Sequence, residues 1–191
     1  MGDSASQTNA RSLREILEGL DCVSQHVAAI QWAKNNDRVI DLFGDFAKNR
    51  HLLLFQSGNE SENWLDPTLN LVYKMNMLSH VGDNILKLLD RIDIYNGLFP
   101  ETAMHLIGFQ VMSEYHAFPV FSQEFIDNVR FATREEINEY MQARGFHPVT
   151  DDDGCYANDS LLLSDVKPKN VLRSDDGIMY VVDAEICKTS M

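Results

Sequence analysis

Apolar positions change their period along the chain. Between Leu13 and Ile30 they fall at Leu13, Ile16, Leu17, Leu20, Val23, Val27 and Ile30, a helical spacing. Ser12-x-x-Glu15 at its start has the form of a capping box. A second helix is predicted from about Asp37 to Lys48, with Val39, Ile40, Phe43 and Phe46 inward. His26, on the first helix, is expected at the surface or partly buried. From His51 the period shortens. HLLLFQSG predicts a strand running into Gly58, ENWLD a short second strand, and LNLVYKMN a third after the Asp66-Pro67 turn. Val81, Ile85, Leu88, Leu89 and Ile92 return to helical spacing. Residues 105–126 then predict two strands joined by a loop near Ser113–Phe118. Thr133-x-x-Glu136 is a further capping box, opening a short helix with Ile137, Tyr140 and Met141 inward and Gly145 at its end. Asp151-Asp152-Asp153-Gly154 lacks the alternating ligands and distal Glu of a calcium loop and reads as a solvated turn. Met75, Met77 and Met104 read as core filler.

The stretch from Leu161 to Ile186 organises the rest. It holds two apolar segments around a polar turn, then Asp175-Asp176-Gly177, then a strand leading to Asp183. The polar turn contains D-x-K-P-x-N (Asp165, Lys167, Pro168, Asn170), and Asp183 follows Asn170 by thirteen residues. The turn at Asp175 and Gly177 lets the chain double back and bring Asp183 beside Asn170. Such a set suits phosphoryl transfer, which asks a protein mainly to position groups and neutralise charge. Asp165 can accept or orient an attacking hydroxyl, Lys167 can meet the transferring phosphate, and Asn170 and Asp183 offer oxygen ligands to magnesium.

In order and spacing, D-x-K-P-x-N followed by Asp183 resembles the catalytic and metal loops of the protein-kinase fold. The chain as a whole resembles the small protein-kinase-like domains of polyvalent proteins from phages and mobile elements, also seen as free-standing bacterial proteins. The further residues that carry this are AIQWAK (29–34), GNESENWL (58–65), VYK (72–74), YNGLFP (95–100), LIGF (106–109) and MQARGF (141–146), so the similarity spans roughly 28–186. The resemblance implies a minimal kinase-like α+β fold: an antiparallel small-lobe sheet with its helix, a truncated C-terminal lobe and an N-terminal helical extension. Its expected divisions are a helical extension over 1–50, a small lobe over 51–126 and a large lobe over 127–191. It also implies ATP and magnesium at the cleft. Gly58 would lie in the phosphate loop, Lys74 on the α- and β-phosphates, and the backbone of Glu124 and Ile126 at the hinge on adenine. Asp165, Lys167 and Asn170 would be catalytic, and Asn170 and Asp183 would hold the metal.

The sequence departs from the kinase pattern in particular places. The phosphate loop has one glycine, with Glu60 and Glu62 beside it. No glutamate lies between Val81 and Asn96 to pair with Lys74, which leaves Asp90, Asp93 or no acid for that role. Leu163 and Ser164 stand where His and Arg precede the catalytic aspartate, and Asp183-Ala184-Glu185 stands in place of D-F-G. With eight residues after Asp183, no activation segment is expected.

Charge and cysteine content narrow the partners. A net charge of −13 argues against nucleic acid and an anionic membrane surface, so ATP has to be recognised locally through metal and a few cations. Cys22, Cys155 and Cys187 show no metal-ligand or disulfide spacing and fit reduced thiols of a cytoplasmic protein. The polar N-terminus lacks the apolar core of a signal peptide. Two functions compete: a phosphotransferase acting on an unidentified protein or small-molecule acceptor, and a nucleotide-binding pseudokinase that acts as an interaction module.

Overall fold

A computed structural model describes residues 12–57, 60–149 and 153–189. The chain divides into two compact units. One is built from the chain up to Asp90 with Met104–Phe125, the other from Arg91–Ala103 with the chain from Ile126 onward. Among the described residues, no helix is long and apolar enough to cross a membrane.

The first unit begins with α1 (residues 12–17) and α2 (Cys22–Asn35), not the single helix that the spacing predicts. Gly19 takes a left-handed φ of 76° between them. Asp21 then starts α2 by accepting from the Ser24 amide at 2.8 Å. The restart turns the buried face of α2 toward Gln25, His26, Ala29, Ile30, Trp32 and Ala33. Val23 and Val27 are left exposed.

The helix expected from Asp37 to Lys48 is also replaced. Val39 forms a parallel bridge with Phe109, and only α3 (Asp45–Arg50) is helical. Backbone bonds join the Ile40 amide to the Phe109 carbonyl and the Phe109 amide to the Arg38 carbonyl, each at 2.9 Å. Gly108 permits this approach: a Cβ there would stand 2.0 Å from the Arg38 carbonyl oxygen. Ile40 is buried as expected, whereas Val39 and Phe43 face solvent.

The alternating segments form the expected strands. These are β1 (Leu53–Ser57), β2 (Ser61–Asp66), β3 (Leu71–Asn76), β4 (His105–Ser113) and β5 (His116–Glu124). They make one antiparallel sheet in the order β1-β2-β3-β5-β4. Tyr73 and Met75 of β3 share a core with Trp64, Val120, Ile40 and Leu42, against which Phe46 packs. Because strand side chains alternate between faces, Val72 and Lys74 lie on the other face, the face of Phe121, which pairs with Lys74. The helix α4 (Ile85–Leu98) follows a short 3-10 turn at Ser79–Val81, and the boundary between the units falls within it.

The second unit holds α5 (Arg134–Ala143) and two small sheets. One has the order β11-β10-β6 and is made of β6 (Val129–Phe131), β10 (Val171–Ser174) and β11 (Met179–Val181). The other has the order β12-β9-β8-β7, from β7 (His147–Pro148), β8 (Tyr156–Ala157), β9 (Leu161–Ser164) and β12 (Glu185–Lys188). The predicted capping box of α5 is formed in both directions between Thr133 and Glu136. Glu136 also accepts from Arg130 of β6 and Arg173 of β10, so one carboxylate joins a helix cap to two strands. Ile137 and Met141 are buried as expected, while Tyr140 is half-buried. The mixture of helices and antiparallel sheets is compatible with a kinase-like domain.

Candidate active site

In the second unit the polar turn between β9 and β10 brings Asp165, Lys167 and Asn170 together. Asp165 adopts a φ of 58°, left-handed backbone that aspartate tolerates better than most residues. The chain then tightens, with the Lys167 amide on the Asp165 carbonyl at 2.9 Å and the Asn170 amide on the Lys167 carbonyl at 2.8 Å. Pro168 starts the single 3-10 turn Pro168–Asn170, a place where a missing amide proton costs nothing. Val166 is buried between the two polar groups and anchors the turn.

The Asn170 side-chain amide donates to the Asp165 carbonyl at 2.9 Å and to its Oδ2 at 2.7 Å. Lys167 Nζ stands 3.4 Å from Asp165 Oδ1, and Lys169 Nζ 2.9 Å from Oδ2. Burial pushes the Asp165 carboxyl up, but hydrogen bonds from Lys169 and Asn170, the Lys169 charge and Lys167 together hold it below its ordinary value. Asp165 is therefore an aimed carboxylate at neutral pH, suited to orienting a hydroxyl. With Asn170 Nδ2 committed to Asp165, its Oδ1 is the oxygen left to meet a cation.

The hairpin that the Asp175–Gly177 turn predicts brings the backbone before Asp183 back to the D-x-K-P-x-N turn. Val171 pairs with Val181, Leu172 with Tyr180 and Arg173 with Met179, and Gly177 at the tip has a φ of 88°. One step beyond the ladder, the Val182 amide donates to the Asn170 carbonyl at 2.9 Å, which sets Asp183 beside Asn170. The carbonyl of Val181 accepts from Thr102 Oγ1 at 2.6 Å and from the Tyr95 hydroxyl. Asp183 itself is exposed. Two oxygen donors of this kind, an amide and a carboxylate, match what a hard, largely hydrated cation asks of a protein.

Lys74, Glu124 and Gly58 belong to the first unit and Ile126 to the second. Lys74 is half-buried on β3, opposite Asn63 and Phe121. Glu124 ends β5 with an exposed side chain, and Ile126 is half-buried. Between them, Phe125 has its amide on the Asn70 carbonyl at 3.0 Å and its carbonyl on Asn70 Nδ2 at 3.2 Å. Gly58 lies outside the described residues.

Three features of the site escape the sequence reading. Lys169 contacts Asp165 more closely than Lys167 does. Gly154, expected in a solvated turn, is buried with a φ of 90°, and its carbonyl accepts from the Val166 amide at 3.0 Å. A Cβ there would stand 2.6 Å from Lys167 Cγ, so this glycine forms the floor on which the lysine stem lies. Last, Glu185 pairs with Ser164, closing the segment that carries both motifs at its other end. The only advance signal for Gly154 is that a glycine after three acidic residues favours a left-handed turn.

A family model for the serine/threonine/tyrosine kinase found in polyvalent proteins matches residues 24–190, and no curated protein matches the chain.

Proposed function

We propose that this chain, which belongs to the serine/threonine/tyrosine kinase family found in polyvalent proteins, transfers the γ-phosphoryl group of ATP with magnesium as the companion ion. The observation that supports this most is the convergence of Asp165, Lys167 and Asn170, together with the Val182–Asn170 backbone bond one residue before Asp183. In this reading Asp165 orients the acceptor hydroxyl, and Lys167 leaves Asp165 to neutralise charge on the moving phosphoryl group. Asn170 Oδ1 and the Asp183 carboxylate hold magnesium, whose chemistry is to screen the phosphate oxygens. Lys74 meets the α- and β-phosphates, and the backbone at Glu124 and Ile126 receives adenine. The specific minimal kinase fold, with its small lobe and a reduced large lobe, belongs to the same proposal.

One observation favours a second reading. The helix α4, with sequence ILKLLDRIDIYNGL, carries Asp90 and Asp93 but not the glutamate of the kinase pattern. A nucleotide-binding module without turnover, acting on a partner, accommodates that loss.

Thermal stability with and without ATP and magnesium, for wild type and Asp183→Asn, tests nucleotide binding. Ligand at about 100 times its dissociation constant adds about 2.7 kcal/mol by mass action. A metal-dependent rise that the variant loses supports the site, and no rise at millimolar nucleotide overturns it. Release of ADP by wild type but not by Asp165→Asn then separates enzyme from module.

A further inference from the structure

The first unit contains a buried imidazole that phosphoryl transfer leaves unused. His26 is 1% exposed on α2, more deeply buried than the surface or partly buried position expected for it. Its Nδ1 meets Ala117 of β5 twice, 3.0 Å from the carbonyl oxygen, to which it donates in one tautomer, and 3.2 Å from the amide nitrogen, from which it accepts in the other. Its Nε2 makes no well-aligned hydrogen bond among the described residues. That nitrogen instead faces Asp83 Oδ1 at 3.2 Å. The ring of His116, also on β5, stacks on His26 with centroids 4.7 Å apart and an interplanar angle of 17°. One ligand atom from each of His26, Asp83 and His116 lies within 4.8 Å of the other two.

The backbone builds this cluster from three separate elements. After the turn Ser79–Val81, Gly82 and Asp83 take successive left-handed φ values of 65° and 61°, and the Asp83 amide returns to the Leu78 carbonyl at 3.1 Å. This directs Asp83 toward α2. The same turn touches α2 again, where Cys22 Sγ lies 3.7 Å from the Gly82 carbonyl. Gln25 Oε1 accepts from the Leu86 amide at 3.1 Å, so α2 also seats the first turn of α4.

A neutral imidazole carries one proton. With that proton on Nδ1 and given to the Ala117 carbonyl, Nε2 presents a lone pair to a carboxylate oxygen, and two acceptors 3.2 Å apart repel unless a proton or a metal ion stands between them. A histidine whose far nitrogen donates to a backbone carbonyl has the tautomer and orientation of a metal ligand. Two imidazoles and one carboxylate form a donor set suited to zinc and its neighbours, unlike the all-oxygen sets of magnesium and calcium. We propose that His26, Asp83 and His116 bind a divalent transition-metal ion, zinc by ligand chemistry, which ties α2 to β5 and to the turn before α4. His26 and Asp83 are already aimed. His116, half-buried at the start of β5, tilts out of the stack to complete the set, and water fills the remaining position.

Full-length protein free of nucleotide, titrated with zinc alone and cobalt alone, tests the site. Asp83→Asn and His116→Asn change positions that are not fully buried, and Asn suits the left-handed backbone at residue 83. His26→Gln is the third variant. The expected result is one ion per chain, a visible cobalt spectrum of a four-coordinate site, and a melting temperature raised by zinc. Affinity falls by more than about 100-fold in each variant, beyond the range typical of losing a supporting contact. Asp183→Asn leaves zinc binding unchanged, which keeps this site separate from the phosphotransfer proposal. Absence of stoichiometric binding, or binding undiminished in both Asp83→Asn and His116→Asn, overturns the inference. Either result leaves His26 and Asp83 as a histidine–carboxylate pair with no metal ion between them.

Discussion

The Val182 amide donates to the Asn170 carbonyl over 2.9 Å, and through that bond the residue before Asp183 is fixed to the residue that ends the D-x-K-P-x-N turn. The two candidate magnesium ligands are therefore held by backbone, independent of their side chains. Val182→Pro removes the donor and leaves the Asn170 carbonyl unpaired. The expected cost is about 1–3 kcal/mol in denaturant unfolding, together with loss of any magnesium-dependent nucleotide stabilisation. Asp183→Ala is the contrast: it should lose the nucleotide effect with little loss of stability.

Tyr95 and Thr102 both reach the Val181 carbonyl. Tyr95→Phe and Thr102→Val should each cost about 1 kcal/mol, since each leaves the other hydroxyl in place. The double variant strips the buried carbonyl of both donors, so its loss should exceed the sum. A double-mutant cycle by urea unfolding measures the difference, and strict additivity would rule out the shared acceptor.

Gly154 supports Lys167 from below. Gly154→Ala places a side chain on left-handed backbone, at a cost of roughly 1–2 kcal/mol, and pushes the flexible lysine stem aside. If Lys167 meets the moving phosphate, phosphoryl transfer should fall by about tenfold or more, a loss of about 1.4 kcal/mol in transition-state stabilisation. Rates for Gly154→Ala and Lys167→Met should then resemble each other. A Gly154→Ala enzyme of unchanged rate would exclude this supporting role.

Hydrogen bonds from Arg130 lead the causes that hold the Glu136 carboxyl far below its usual range, with the Thr133 amide and Arg173 adding to the effect. A carboxyl whose folded value is depressed stabilises the fold above its unfolded pKa, near 4.3 for glutamate. It loses that contribution as pH falls through the folded value. The melting-temperature gap between wild type and Glu136→Gln should be widest near neutral pH and narrow steadily below about pH 4. A gap that persists at low pH would mean that Glu136 acts by packing and capping, not charge.

The strands were legible because alternation is local: β3 places Leu71, Tyr73 and Met75 in one core beside Trp64 of β2, and the strand ranges follow the pattern closely. The hairpin that returns Asp183 was legible from its turn residues. The N-terminal helices were not. Val23 and Val27 fit the helical period but face solvent, because Gly19 interrupts the chain and Asp21 restarts it in a different phase. Residues 38–40 follow a helical pattern as well, yet their backbone bonds go to Phe109, seventy residues away in sequence, which no local period reports. The order of Asp165, Lys167, Asn170 and Asp183 pointed to one site. The contributions of Lys169 and Gly154 became visible only when loop geometry placed their atoms against Asp165 and Lys167.

The β10–β11 hairpin also says where the chain can be opened. Between Asn170 and Asp183 the chain is held by three register pairs and by the Val182–Asn170 bond, while its tip at Asp175 and Asp176 is exposed. A foreign loop, an affinity tag or a new pair of termini placed at that tip would lengthen the path between the two ligands in sequence without separating them in space. The same insertion between Asp165 and Asn170 would pull apart groups that five residues of chain now keep in contact.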